Sequence, residues 1–265
     1  IDVLILSAPQ SSITTNIINA IIENKGIIII SGKNYHPSGL IWPIASHHLH
    51  TQRLYLQIKA SKPLMKKLWQ KIVSHKISAQ SQALKFFGND DQGLENFSKT
   101  ITSGDSQNRE AQAARRYWPA LFGNEFKRDI DEAGINSMLN YGYAVLRACV
   151  ARAVSACGLH PAIGIHHRNF ENQFCLVDDL MEPFRPLVDL FVKILAMNNM
   201  LELTPDVKKK LVSILQFDLE THDGKSPLSN CALRLAQSLV QSFESKAVIL
   251  DFPKIVLNPE LQRVL

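Results

Sequence analysis

Apolar residues recur at helical spacing along most of this chain, and the first forty or so positions are the exception. Val3–Leu6 and Gly26–Ser31 are continuous runs rich in β-branched residues, bounded by Ser, Pro, Gly and Lys, and they predict two short buried strands. Between them Ile17, Ile18, Ile21 and Ile22 give Thr14–Asn24 the period of a helix, with Ser and Thr at hand for its N-cap. Lys33–Gly39 predicts a turn-rich loop. From about Ser46 the pattern changes. Leu54–Ile58 and Leu64–Val73 space their apolar residues by three and four with Lys between, as on amphipathic helices. Asn89–Gly104 is polar and broken by glycines, although Leu94 and Phe97 suit one short helix. Glu110–Phe122, Ile135–Cys157, Leu187–Met200, Pro205–Leu215 and Leu228–Ser245 all predict helices, the second apolar nearly all round and therefore central. Asp251–Val256 predicts a terminal strand or an extended tail. The fold class expected is α+β: a small β-rich domain over residues 1–55 followed by a large all-helical domain over 56–265, changing character between Ser46 and Ser61.

Composition narrows the class without choosing a function. The chain has 265 residues, 46% hydrophobic and 20% charged, the balance of a globular protein with room for proper cores. Its four cysteines (Cys149, Cys157, Cys175, Cys231) form no Cys-x-x-Cys pair and have no zinc-like spacing with histidine, which predicts reduced structural thiols and a cytoplasmic setting. No apolar segment is long enough for a membrane span, and no basic-then-apolar signal-peptide pattern is visible in the sequence. A net charge of +5 permits nucleic-acid binding without establishing it. The chain begins mid-pattern on Ile1 rather than Met, which predicts that further N-terminal residues precede it in the natural protein.

Candidate chemistry concentrates in two neighbouring segments, Gly158-Leu-His-Pro-Ala-Ile-Gly-Ile-His-His-Arg168 and Val177-Asp-Asp-Leu-Met-Glu-Pro-Phe-Arg-Pro186. Asp179 and Glu182 are three residues apart, so on a helix they project from one face. Pro183 suits a first helical turn, whereas Pro186 sits deeper and should bend a helix that ran straight through. Arg185, three residues after Glu182, could orient that carboxylate or contact a phosphate. The bland alternative is that Asp178, Asp179 and Glu182 form an acidic helix start stabilised by the macrodipole. The histidines nearby (His160, His166 and His167) argue for a ligand or acid–base role. A third carboxylate is available at Glu110, which opens a helix and is followed by small residues at Ala111, Ala113 and Ala114 that allow close backbone approach. It too could simply satisfy a helix start, with Arg115 and Arg116 as solvated surface charge. Carboxylates with one imidazole suit Mg²⁺ or Mn²⁺, whereas Zn²⁺ would call for thiolates or a second histidine.

Taken together these segments resemble the Cas-one family, the CRISPR-associated integrases of spacer acquisition. The family's Glu-x-x-Ala-x-x-Tyr helix start is matched by Glu110-Ala-Gln-Ala-Ala-Arg-Arg-Tyr117, with the alanine at 113 or 114. Its Asn-x-x-Leu-Asn-Tyr-Gly-Tyr helix is matched by Asn136-Ser-Met-Leu-Asn-Tyr-Gly-Tyr143, its histidine loop by Gly164-Ile-His-His167, and its Asp-Leu-Met-Glu-x-x-Arg-Pro motif by Asp179–Pro186. The order and intervals agree from about Ile1 to Ser245, and the Gly158–Arg168 run is closest to type II systems. The resemblance implies that Glu110, His167 and Glu182 are catalytic metal ligands for Mg²⁺ or Mn²⁺ and that Asp179 supports them. It takes His167 rather than His166 as the functional imidazole. Arg168, Arg185 and Tyr141 are then candidate DNA contacts. It also implies a β-rich N-terminal domain that forms a homodimer, a helical catalytic domain, double-stranded DNA (captured fragment and repeat) as substrate, a Cas-two partner, contact with other type II CRISPR proteins, and no membrane association.

The reaction implied is divalent-metal-dependent transesterification that joins the 3′-hydroxyl ends of captured DNA to the repeat array. Two readings compete with it. One is a stand-alone metal-dependent nuclease acting on branched or repair DNA, and the other is a non-catalytic DNA-binding scaffold whose acidic groups only cap helices.

Overall fold

A computed structural model describes the chain except for residues 2, 7, 9, 33–36, 44–46 and 256–265. Its N-terminal part is a three-stranded sheet with β1 (Val3–Leu6), β2 (Ile27–Ser31) and β3 (Pro37–Ile41) in that order. β1 and β2 run parallel, in register Val3 with Ile27 through Leu6 with Ile30. A parallel pair needs a crossover, which α1 (Thr15–Glu23) provides. Thr14 caps that helix, its hydroxyl accepting from the Ile17 amide at 3.4 Å. β2 is the middle strand, and Ile27, Ile28 and Ile29 are buried in it.

β3 corrects the expectation of a loop over Lys33–Gly39. Residues 37–39 pair antiparallel with β2, Ile29 opposite Leu40 and Ile30 opposite Gly39, with an irregularity at Ile30 and Ser31. Pro, Ser and Gly carry local turn propensity, and the open edge of β2 overrides it. Pro37 at the strand's first residue fits the position where proline is tolerated. Residues 33–36 of the expected loop lie outside the described residues.

The helical part contains α2 (His50–Lys59), α3 (Lys62–Phe86), α4 (Leu94–Lys99), α5 (Arg109–Phe122), α6 (Ile135–Ala156), α7 (Cys175–Met181), α8 (Arg185–Met197), α9 (Pro205–Ser213) and α10 (Leu228–Ser245). α2 runs across residues 55 and 56 and is tied to the segment after α6: Gln57 exchanges hydrogen bonds with the His160 backbone, and Arg53 donates to the Cys157 carbonyl at 2.7 Å. α3 is longer than the Leu64–Val73 stripe predicted, because Ile77, Ala83 and Leu84 prolong the buried face. Ser61 caps it, and Pro63 sits in its first turn. α6 forms the second axis of the core and packs against α7, α8, α9 and α10. At Gly142 it approaches α8 so closely that a Cβ would lie 2.5 Å from Val188 Cγ1.

The helical part also carries a hairpin that periodicity did not predict, β4 (Asp218–Thr221) with β5 (Gly224–Pro227). Its strands are four residues each and mostly polar, so only the Asp223-Gly224 turn signal marks it. The tail expected at Asp251–Val256 runs alongside: Glu220 and Lys254 exchange backbone hydrogen bonds as a single bridge, and Val256 lies outside the described residues. All four cysteines are buried free thiols. Burial pushes the Cys157 and Cys231 thiols up to about 11, as inert core residues would be. No helix among the described residues is long and apolar enough to cross a membrane.

Candidate active site

α7 does not continue smoothly into α8. Glu182–Phe184 form a turn of 3-10 helix between them, which is where Pro183 and Pro186 deny the chain amide donors. The effect is to place Asp179 on the last full turn of α7 and Glu182 at the break, both buried, at 0% and 4% exposure. Neither is a solvated helix-start acid. Asp178 is the acid in the first turn of α7, and it is bound by Arg147 and by Asn172, each at 2.7 Å. The macrodipole reading therefore suits Asp178 and fails for Asp179 and Glu182, whose partners are specific side chains and amides.

Asp179 organises the histidine loop. Its Oδ2 accepts from the amides of Ile165 at 2.6 Å and His166 at 2.9 Å. Its Oδ1 accepts from the His167 amide at 3.3 Å and faces His167 Nδ1 at 2.6 Å. All four neighbours of this carboxylate must be donors, so Nδ1 carries the ring proton and Nε2 is the free nitrogen. The bond to Asp179, ahead of opposing burial, raises the His167 pKa above 6.5. The loop can wrap the carboxylate because residue 164 is glycine: a Cβ there would sit 2.4 Å from the His167 carbonyl and 2.9 Å from Asp179 Oδ2. His166 points elsewhere, stacked face to face on Trp69 at 4.3 Å between centroids.

Glu110 arrives from a different element. Asp105 binds the start of α5, accepting from the Arg109 amide at 2.8 Å and the Glu110 amide at 3.0 Å, and so fixes the first turn. Lys76 of α3 bridges the two glutamates: its Nζ lies 2.6 Å from Glu110 Oε1 and 2.5 Å from Glu182 Oε2. Arg185 Nε holds the other oxygen of Glu182 at 2.9 Å. Burial pushes the Glu182 carboxyl up, but Arg185 and Lys76 outweigh it and hold it below its ordinary value. Burial likewise pulls the Lys76 ammonium down, and Glu182 and Glu110 more than reverse that. Lys76 is absent from the sequence expectations. The available signal was its position on the apolar stripe of α3, beside Trp69, Ile72, Val73 and Ile77, where a lysine needs a partner.

A cleft of about 260 Å³ opens beside Glu182 and His167, with Tyr143, Arg128, Arg147 and Arg185 in its walls. Arg185 stacks over the Tyr143 ring at 4.8 Å. Beneath it the Tyr143 hydroxyl donates to the buried Asp189 carboxyl, and Tyr117 faces the same group. Burial pushes Asp189 up to about 7.

Among the described residues no three His, Cys, Asp or Glu side chains are gathered as a metal cage. Two carboxylates nevertheless converge on one positive charge, the Lys76 ammonium, and His167 also feels both glutamates. One buried and one half-buried carboxylate focused on a cation, beside an imidazole with its proton assigned to the far nitrogen, fit a hard divalent ion in competition with Lys76.

The sequence model of the family described as CRISPR associated protein Cas1 matches residues 2–215. The chain belongs to the Cas1 family. It is 40% identical over 223 residues to the CRISPR-associated endonuclease Cas1 of Neisseria meningitidis, covering 83% of this chain and 73% of that protein. A Cas1 endonuclease of Pyrobaculum aerophilum is 28% identical over 210 residues, 74% of this chain and 71% of that one. Among solved structures, a casposase bound to its integration product superposes with a TM-score of 0.83 at 25% identity, covering 98% of this chain and 83% of that one. A Cas1 protein from Thermotoga maritima shares the fold, with a TM-score of 0.71 at 17% identity over 90% of this chain and 85% of that one.

In this Cas1 chain the motif segments do not all meet at one point. Glu110 and Glu182 come together through Lys76, and Asp179 stands behind His167. Arg185 is a clamp on Glu182. Arg168 is exposed just past the histidine loop and lines the clefts on its other side. Tyr141 does not line the cleft beside Glu182. It is buried on α6 with the Lys208 ammonium 5.8 Å from its ring, and the tyrosine of that cleft is Tyr143.

Proposed function

We propose that this Cas1 protein is the integrase of CRISPR adaptation, joining 3′-hydroxyl ends of captured double-stranded DNA to the repeat array by transesterification. The observation that carries the reading is the convergence of Glu110 and Glu182 on a single positive charge beside the Asp179-anchored imidazole of His167. Glu110, Glu182 and Nε2 of His167 are the donors that would hold Mg²⁺ or Mn²⁺. Such an ion supplies polarisation of the scissile phosphate and neutralises charge on its oxygens. The protein's own part is positioning. Asp179 fixes which imidazole nitrogen faces the site, Arg185 fixes the rotamer of Glu182, and Lys76 balances two carboxylates that would otherwise repel a DNA phosphate. In the reaction the 3′-oxygen attacks phosphorus and the repeat's own 3′ P–O bond breaks, leaving a new 3′-hydroxyl.

The β1–β3 sheet is assigned to homodimerisation and the helical part to catalysis, with Cas2 as partner in a cytoplasmic complex. What supports these assignments is membership in the Cas1 family. Affinity for DNA rests on Lys and Arg and should fall steeply with salt.

The test is joining of labelled duplex to a supercoiled plasmid carrying the repeat, with Cas2 and Mn²⁺ supplied. Wild type should join, and Glu110→Ala, His167→Ala and Glu182→Ala should not, while remaining folded and bound to DNA. Cleavage of branched DNA with no joining would assign a stand-alone nuclease. Absence of both, with no Mn²⁺-induced change in Tm, would assign a scaffold.

A further inference from the structure

α2 turns a polar side inward. Its only buried residue is Gln57, at 1% exposure, whereas Tyr55 and Ile58 of the same helix stand in solvent. His50, Arg53 and Gln57 fall at i, i+3 and i+7, on one face. That face meets the backbone of the segment leading from α6 to the histidine loop. His50 Nδ1 lies 3.1 Å from the Gly158 carbonyl and must carry the proton there, since a carbonyl only accepts. Arg53 donates to the Cys157 carbonyl at 2.7 Å. Gln57 binds both backbone groups of one residue and the carbonyl of a second. Its Oε1 accepts from the His160 amide at 2.7 Å, and its Nε2 donates to the carbonyls of His160 at 3.1 Å and Ile163 at 3.3 Å.

Gln57 therefore grips the chain at the last residue before Gly164, where the loop that wraps Asp179 begins. The gripped segment lies between two glycines: Gly158, in the left-handed region at φ 63°, and Gly164, which has no room for a Cβ. It is anchored to α7 by the Leu176 amide, which donates to the Pro161 carbonyl at 2.7 Å, and to α2 by Gln57. Beyond Gly164 the amides of Ile165, His166 and His167 all turn to Asp179. The imidazole thus has two supports. Asp179 selects the ring nitrogen that faces the site, and Gln57 sets where the loop enters, hence where that nitrogen lies. A carboxamide suits the task because backbone amides and carbonyls together require a donor and an acceptor at one side-chain end.

We propose that Gln57 is a positioning residue for His167, holding from α2 the stretch of chain that delivers the histidine loop to Asp179. The inference rests on the metal-ligand reading of His167 for its consequence in strand joining. It gives a buried polar side chain, 110 residues earlier in the sequence than His167, a part in the site without contact to DNA or metal.

The test uses the full chain and Gln57→Met, which has similar length and none of the polar atoms. Gln57→Ala, which admits water to the same backbone groups, serves if Gln57→Met does not fold. Ser242→Ala is the control for a general loss of stability, because buried Ser242 bonds the Ser238 carbonyl and the Ile249 amide on α10, at 2.9 Å each. In Gln57→Met the amides of Ile165 and His166 should exchange with deuterium about tenfold faster, as local opening becomes easier by one or two hydrogen bonds. Mn²⁺ affinity by calorimetry should fall about tenfold, the scale for losing a partner behind a metal ligand. In the joining assay kcat should fall by a similar factor, with the KM for DNA within about twofold of wild type. Loop exchange equal to wild type, or raised no more than by Ser242→Ala, would overturn the proposal. If wild type joins DNA while Gln57→Met leaves the loop amides and Mn²⁺ affinity unchanged, the positioning role fails and the function stands. If Gln57→Met frees the loop but wild type neither cuts nor joins DNA, the positioning role stands and the function fails.

Discussion

Lys76 Nζ and Glu182 Oε2 meet at 2.5 Å, across the contact between the long helix α3 and the 3-10 turn that separates α7 from α8. The same ammonium reaches Glu110 at 2.6 Å, so one cation joins three elements. Removing one partner of such a buried group leaves the others uncompensated. Lys76→Met should therefore lower stability by about 3 kcal/mol without metal, the range for breaking a buried ion pair. Added Mn²⁺ should raise the Tm of the variant more than that of wild type, because the ion no longer competes with the ammonium. Equal stability and equal metal response, measured by urea and thermal melts, would show that Lys76 is not the counter-ion of the site.

Asp179 and His167 set a second expectation. The imidazole pKa is raised above 6.5 first by its bond to Asp179. Asp179→Asn should move it back toward 6.5, followed by ring-proton NMR through a pH titration. A raised folded pKa gives a stability contribution that is present in full below 6.5 and lost as pH climbs through the folded value. The variant should show less of that loss. An unmoved His167 titration would contradict the assignment of Nδ1 as donor to Asp179.

Asp189 should act in the opposite way to the usual carboxylate. Burial raises it from 3.8 to about 7, against the lowering bond from Tyr143. The folded state therefore holds the proton more firmly than the unfolded chain, and stability falls as pH rises between about 4 and 7. Asp189→Asn keeps an acceptor for Tyr143 and removes the charge. It should flatten that slope and be the more stable protein at pH 8. Parallel Tm-versus-pH curves for the two proteins would rule this out.

Gly142 tests the packing that sets α6 against α8. A methyl group there would lie 2.5 Å from Val188 Cγ1, and 3.7 Å from Leu211 Cδ2. Gly142→Ala should cost about 1–3 kcal/mol by overpacking, despite the better helix propensity of alanine. Gly142→Ala paired with Val188→Ala should recover part of the loss, because the clash is with that side chain. A neutral single variant in a denaturant melt would show that the helices can part without cost.

Much of this architecture was legible in the order of residues, for identifiable reasons. The strands Val3–Leu6 and Ile27–Ser31 and the helices α5, α6 and α10 each carry a strong period bounded by caps or breakers. β3 and the β4–β5 hairpin were not legible, because their residues favour turns or solvent and become strands only through a partner. The site divides the same way. The acidic pair Asp179 and Glu182 could be picked out by spacing, but the break between them could not: Pro183, expected in a first helical turn, lies in the 3-10 turn, and Pro186, expected to bend a helix, opens α8. Lys76 could not be singled out easily from the lysines of α3, since its role depends on where α5 and α7 dock. Tyr141 and Tyr143 are two residues apart in one motif, and only helix packing decides that Tyr143 faces the cleft.

The decisive measurement is plasmid strand transfer by Glu182→Gln alongside wild type, with Cas2 and Mn²⁺ present and Mn²⁺ binding followed by calorimetry on the same samples. Glutamine preserves the size and the contact with Arg185 while removing the charge. The site described here requires the variant to remain folded, to bind Mn²⁺ weakly, and to lose roughly a hundredfold or more in joining, the scale of removing a group that stabilises charge in the transition state. Joining at the wild-type rate by Glu182→Gln, with Mn²⁺ bound as tightly as before, would contradict it.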